Sequence, residues 1–262
     1  MTEYGLIGYP LGHSFSRQFF TEKFKEEGID AQYLNFEIPS VDGLMEIIRE
    51  RPLLKGLNVT IPHKQAVMPL LQEISEEARE IGAVNVIAIR RKAKETPALS
   101  GVASSQSDDA IILKGYNADV IGFCRSIRPL LKPWHKKALV LGTGGASKAV
   151  VYGLRRLGVE PVSVSRTPKS DMLGYDQLDE DTMCEHTVIV NCTPLGMWPK
   201  TELCPDLPYN LLTERHLLYD LVYNPALTLF LKRGQAQGAT IKNGLEMLKL
   251  QALASWDFWN EQ

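Results

Sequence analysis

The chain has only four cysteines in 262 residues, Cys124, Cys184, Cys192 and Cys204. No two of them form a C-x-x-C pair and no zinc spacing is present, so they read as free thiols of a reducing compartment. The five histidines are scattered, with no pair at helical ligand spacing, and no metal is expected. No apolar run approaches the roughly 20 residues of a membrane span. The opening MTEYGLIGYP lacks the apolar core of an export signal, which points to the cytoplasm. Charge of one sign is also missing. Lys and Arg number 29 against 31 Asp and Glu, a net charge of −2. That balance gives no case for a nucleic-acid partner or an anionic membrane surface. What remains is ordinary globular material, 44% hydrophobic and 23% charged, in a chain long enough for two modest domains.

The most informative stretch is 137–167. Lys137–Leu141 is a short apolar run typical of a buried parallel strand. Gly142-Thr143-Gly144-Gly145-Ala146 follows at once, then a helical pattern over Ala149–Leu157 and a second β-rich run at Val162–Ser165. Strand, glycine turn, helix and strand make the first unit of a dinucleotide-binding fold, in which backbone amides at a helix N-terminus meet a pyrophosphate. Ser147 stands where a third glycine or alanine is usual. An NAD site usually places an acid at the end of the second strand to hold the ribose hydroxyl. This chain has Ser165-Arg166-Thr167 and then Lys169, which suit a 2′-phosphate and point to NADP.

The first half alternates strands and helices. Strands are expected at Tyr4–Gly8, Ala31–Glu37, Gly56–Ile61 and Val84–Ile89. Helices are expected over about Ser16–Glu27, Val41–Glu50, from Pro62, and over Ser75–Ile81. Residues 91–109 are polar and aperiodic, as at a hairpin tip. Asp119–Leu130 reads as a crossover helix, with later strands at Thr187–Asn191 and His216–Leu221. The closing helix Gly244–Trp259 carries Leu245, Leu248, Ala252, Trp256 and Trp259 on one stripe.

Asn58 and Thr60 alternate on a strand and face one way at its carboxyl end, where open α/β sheets bind ligands. Lys64 falls in the first turn of the next helix, next to a partial positive charge. That placement favours the neutral amine and suits proton transfer, whereas most lysines are simply solvated. Asn117 and Asp119 in Gly115-Tyr-Asn-Ala-Asp119 either cap the following helix or bring a carboxylate to the same chemistry.

These motifs, in this order, resemble the shikimate dehydrogenase family over nearly the whole chain. Gly8-Tyr-Pro-Leu-Gly-His-Ser-Phe-Ser16 is similar to the family's opening turn, and the resemblance makes Ser14 and Ser16 ligands of a substrate carboxylate. Asn58–Lys64 matches the N-V-T-x-P-x-K stretch, with Lys64 catalytic and Asn58 and Thr60 on the substrate. Gly82-Ala-Val-Asn85 makes Asn85 a substrate ligand. Asp119 becomes the partner of Lys64, although Ala118 replaces the usual threonine. Glu76 would lie near the nicotinamide side. Asn191-Cys-Thr-Pro-Leu-Gly-Met197 resembles the loop beside the nicotinamide ribose and places Thr193 at the cofactor. Leu221 and Gly244 would also touch the cofactor, while Tyr223 and Gln251 would touch the substrate.

The resemblance implies an α/β protein of two domains with a cleft between them. Residues 1–117 would bind substrate, with 243–262 packing back on them, and 118–242 would form a Rossmann-type NADP domain. The implied activity is reversible, NADP-dependent reduction of 3-dehydroshikimate to shikimate in aromatic amino-acid biosynthesis, by a monomer or homodimer. A quinate-oxidising relative and a non-catalytic NADP sensor are the alternatives. The base at the cofactor's phosphate end can be tested directly. A charge-assisted hydrogen bond contributes roughly 1.5–3 kcal/mol, so Arg166→Ala is expected to weaken NADP about ten- to a hundredfold and NAD much less. Equal losses for both cofactors in a binding titration would reject the assignment.

Overall fold

A computed structural model describes residues 1–12, 15–91 and 111–261. Ser14 and nearly all of the expected hairpin tip lie outside the described residues. The chain forms two compact units, Met1–Asn117 with Ser255–Gln262, and Ala118–Ala254.

The first unit runs β1 (Thr2–Gly8), α1 (Phe15–Glu26), β2 (Ala31–Glu37), α2 (Leu44–Glu50), β3 (Leu54–Val59), α3 (His63–Ala66), β4 (Glu73–Ile74), α4 (Glu76–Ile81), β5 (Val86–Arg91) and β6 (Ile111–Tyr116). Its six-stranded sheet has the order β2-β1-β3-β5-β6-β4. β1 pairs in parallel with β2 and β3, whereas β5 is antiparallel to both β3 and β6. The unbroken apolar run of β1 is explained by burial on both faces. Ser75 caps α4 by accepting from the Ala78 amide, and Gly82 ends it in the left-handed conformation at φ 69°. Val41–Glu50 is not one helix. Ser40 accepts from the Asp42 amide and sets a tight 3₁₀ turn over Val41–Gly43 ahead of α2. Pro62 also falls outside its helix, because the Thr60 carbonyl takes the His63 amide at 2.9 Å and α3 starts only there.

One face of this sheet is covered by aromatic rings. Phe20 of α1 stacks on Tyr33 of β2 with centroids 4.9 Å apart, and Trp259 stacks on Tyr4 at 4.8 Å. The Trp259 indole N–H donates to the Ile87 carbonyl at 3.1 Å, so its position is fixed by a bond as well as by packing.

The second unit runs α5 (Asp119–Ile127), β7 (Lys137–Leu141), α6 (Gly145–Arg156), β8 (Glu160–Val164), β9 (Met172–Leu173), α7 (Glu180–Glu185), β10 (Val188–Asn191), β11 (Leu217–Asp220), α8 (Leu229–Ala236), β12 (Thr240–Lys242) and most of α9 (Leu245–Asn260). Its sheet is parallel throughout, in the order β12-β11-β10-β7-β8-β9. This is a doubly wound arrangement in which the strand order reverses between β7 and β10, where such sheets bind ligands at their carboxyl edges. The expected helix over Asp119–Leu130 ends at Ile127. Pro129 has no amide hydrogen to continue it, and Arg128–Leu130 form a 3₁₀ turn. The helix after the glycine turn starts at Gly145, four residues before the expected Ala149. Among the described residues no helix is long and apolar enough to cross a membrane.

Gly56 lies directly beneath the Trp259 ring, and a Cβ there would come within 2.3 Å of an indole carbon. Gly56→Ala is expected to lower stability by about 1–3 kcal/mol, the usual cost of overpacking. Thermal unfolding checks this, and an unchanged midpoint would contradict it.

Candidate active site

In the first unit the polar residues singled out from sequence converge on one knot of main-chain bonds at the carboxyl end of β3. The Lys64 carbonyl accepts from the Val84 amide at 2.8 Å, which ties α3 to the turn after α4. Asn85 is bound on both sides: its amide donates to the Tyr116 carbonyl at 3.0 Å and its carbonyl accepts from Val59 at 2.8 Å. The Asn117 side chain donates to the Ala83 carbonyl at 2.9 Å. Asn58, Asn85 and Asn117 are buried, while Thr60 and Lys64 are half-buried. Ser16 is also buried, in the first turn of α1. Glu76 is exposed, at the first position of α4.

Asp119 opens α5 and is only 6% exposed, an unusual state for a carboxylate. The residue at the helix cap is Ala118, which makes no side-chain capping bond, and the Asn117 side-chain amide donates to Ala83. Within the second unit Asp119 acts electrostatically on Cys192. Burial first, then Asp220 and Asp119, push that thiol well above the ordinary cysteine range. That shift favours the protonated thiol over the nucleophilic thiolate.

The residues assigned to a cofactor gather at the reversal point of the second sheet. Gly142 has φ 104°, a conformation that favours glycine, and its amide donates to the Val164 carbonyl at 3.0 Å. A Cβ on Gly142 would press on Thr193 at 3.1 Å, so the glycine turn lies against the loop after β10. Gly144 precedes α6 without a side-chain cap, and a Cβ there would meet nothing within 4 Å. The amides at this helix start are thus left for an outside acceptor. Ser165, Arg166, Thr167 and Lys169 follow directly from the end of β8, with Arg166, Thr167 and Lys169 exposed. Gly145 and Ala146 are half-buried in the first turn and Thr143 is exposed. A bare, uncapped turn beside a basic segment fits a phosphorylated dinucleotide.

Gly244 is needed for close approach, since a Cβ would fall 2.1 Å from the Leu221 carbonyl oxygen. Gln251 is 8% exposed rather than solvated, as a lone glutamine on a helix surface would be. Its backbone lies over Gly122, one turn beyond Asp119. Tyr223 is half-buried, and burial raises its phenol above the ordinary tyrosine range.

Sequence reasoning missed a buried carboxylate. Asp220 is fully buried and accepts from Asn191 Nδ2 at 2.9 Å, the Val222 amide at 3.0 Å and the Thr228 hydroxyl at 2.6 Å. Asn191 Oδ1 in turn accepts from the Thr193 amide at 3.0 Å and hydroxyl at 2.6 Å. One carboxylate thus fixes both the loop bearing Thr193 and the segment bearing Leu221 and Tyr223. An acid at the end of an otherwise apolar strand was the only available signal.

Residues 6–87 match the family described as the shikimate dehydrogenase substrate binding domain. A shikimate dehydrogenase (NADP(+)) of Clostridium beijerinckii is 35% identical over 273 residues, covering 100% of this chain and 93% of its own. The shikimate 5-dehydrogenase of Thermus thermophilus, solved in complex with NADP(H) and shikimate, superposes with a TM-score of 0.80 at 29% identity, over 99% of this chain and 94% of its own. A ligand-free 5-ketofructose reductase of Gluconobacter superposes at 0.76 with 26% identity, over 100% and 93%.

Burial raises the Asp220 carboxyl from 3.8 to about 6, against the pull of its three donors. The folded chain therefore holds this proton more tightly than the unfolded chain. Between about pH 4 and pH 6 its contribution to stability falls as pH rises, by up to about 3 kcal/mol. The stability difference between Asp220→Asn and the parent should change across that window in denaturant titrations and flatten above it. Parallel curves would contradict the assignment.

Proposed function

The chain belongs to the shikimate dehydrogenase family, and we propose that it reduces 3-dehydroshikimate to shikimate, reversibly, with NADP as cofactor. The observations that carry this reading are a half-buried Lys64, whose carbonyl is bound to the Val84 amide beside Asn85, and a buried Asp119 in the first turn of α5. A binding module needs neither group for acid–base work.

When bound, the cofactor supplies the hydride that adds to the ring ketone carbon. Lys64 and Asp119 then act on the oxygen of that carbonyl as it gains electron density. One holds it by hydrogen bonding while the proton arrives. Ser14 and Ser16, at the start of α1, take the substrate carboxylate, a natural role for hydroxyls beside free helix amides. By the family resemblance Asn58, Thr60 and Asn85 of the first unit, and Tyr223 and Gln251 of the second, would bind the carbocycle and its hydroxyls. The turn from Gly142 to Ala146 would hold the pyrophosphate, and Ser165, Arg166, Thr167 and Lys169 the 2′-phosphate. Thr193, Leu221, Gly244 and Glu76 are assigned to the nicotinamide side by the same resemblance.

The substrate is the finer part of the reading, because the 5-ketofructose reductase has the same architecture. An enzyme of this kind serves aromatic amino-acid biosynthesis in the cytoplasm, where its free thiols stay reduced, and a monomer or homodimer suffices for it.

Absorbance at 340 nm with shikimate or quinate, each with NADP or NAD, tests the proposal. Shikimate with NADP should give the fastest reduction of cofactor. Turnover on quinate with NAD alone would favour the quinate-oxidising alternative, and binding of NADP without turnover would favour a sensor. Lys64→Ala should lower kcat by roughly 10²–10⁴-fold with a modest change in KM, the scale of general acid–base groups. Parent-like turnover would remove Lys64 from the mechanism.

A further inference from the structure

The side chain of Asn58 is occupied from within its own unit. Tyr33 donates its phenolic hydrogen to Asn58 Oδ1 at 2.8 Å. Asn58 Nδ2 donates to Ser255 Oγ at 2.9 Å and, in a longer contact of 3.4 Å, to the main-chain carbonyl of Asn85. A primary amide has two hydrogens to give and two lone pairs to accept with. Both hydrogens of Asn58 are engaged, so only one lone pair of Oδ1 is left for a ligand. Donation from Asn58 to a substrate oxygen is therefore closed off.

Tyr33 is 3% exposed, Asn58 5%, Asn85 2% and Ser255 0%, so none of these bonds competes with bulk water. The Ser16 hydroxyl lies close enough to the Tyr33 phenol to act on it, while burial raises that phenol above the ordinary tyrosine range. A continuous chain runs from Tyr33 to Asn58, where it branches to Asn85 and Ser255. It is built from β2, β3 and the last turns of α9.

We propose that Tyr33 and Ser255 are positioning residues for substrate binding, which act by clamping the Asn58 amide in a single orientation. Asn58 then serves as the hub that sets Tyr33, Asn85 and Ser255 relative to one another. This rests on the shikimate reading of the site for its kinetic consequence but not for its structural one. The ring of Tyr33 has a separate role in packing on Phe20, so the hydroxyl can be removed alone.

Tyr33→Phe and Ser255→Ala should each raise KM for shikimate about five- to thirtyfold, the range set by one lost buried hydrogen bond. KM for NADP should stay within about twofold, because the glycine turn and the basic segment assigned to the cofactor's phosphates lie in the other unit. The double variant should lose less than the product of the two, since both act through one amide. A merely structural role would lower the melting midpoint without this split between the two KM values, and that result would overturn the proposal. The Asn58 side-chain amide supplies a readout that needs no substrate. Its hydrogens, followed by ¹⁵N NMR, should exchange slowly in the parent and about tenfold or more faster in both variants. Unchanged exchange would overturn the clamp even if activity fell. A parent chain inert toward shikimate, with exchange behaving as described, would refute the substrate assignment and leave the clamp standing.

Discussion

The hydrogen bond from the Val84 amide to the Lys64 carbonyl, 2.8 Å long, is the link on which the first unit's chemistry depends. It joins two turns that lie some twenty residues apart in sequence and would otherwise end independently. With that bond in place the Lys64 backbone stays beside Asn85, and Asn117 is fastened to the same turn through the Ala83 carbonyl. General acid–base chemistry tolerates little slack in its groups, and a lysine on a short surface helix would have a great deal. Main-chain bonds of this kind fix the backbone from which the proposed acid–base side chain projects.

The second unit solves a similar problem with a buried charge. Two segments after neighbouring parallel strands must be held at a fixed spacing beside the glycine turn. Asp220 does this with three donors, one from each segment it has to fix and one from Thr228 at the start of α8. A neutral acceptor could satisfy the same geometry, but hydrogen bonds to a charged group are roughly twice as strong. The cost is the desolvation visible in the raised carboxyl. Glycines serve the complementary purpose of close approach: Gly142 lets the turn meet Thr193, and Gly244 lets the start of α9 meet Leu221.

Much of this was readable from the chain because the signals are local. The parallel strand Lys137–Leu141, its glycine turn and the basic end of β8 occupy one continuous stretch. The capping serine and left-handed glycine around α4 are likewise local rules. Lys64 and Asp119 stood out as polar residues at the starts of helices. What escaped notice was non-local. Tyr33, Ser255 and Asp220 carry no motif, and their value comes from partners 25, 197 and 29 positions away. Ser255 sits on a helix stripe of apolar residues, where a lone hydroxyl reads as filler until its donor, the Asn58 amide, is known. Element ends were misjudged where a side chain or a proline changed the turn type, as at Ser40 and Pro129.

The central claim is that hydride passes from a reduced nicotinamide to the ketone carbon of 3-dehydroshikimate, with this chain's residues handling the proton. NADPH deuterated at the transferable position of its nicotinamide ring tests it most directly, with NMR of the alcohol formed. The account predicts one deuterium on the ring carbon that gains the hydroxyl and none at that carbon from deuterated solvent. A product whose carbinol carbon takes its hydrogen from solvent, or no alcohol at all, would contradict it.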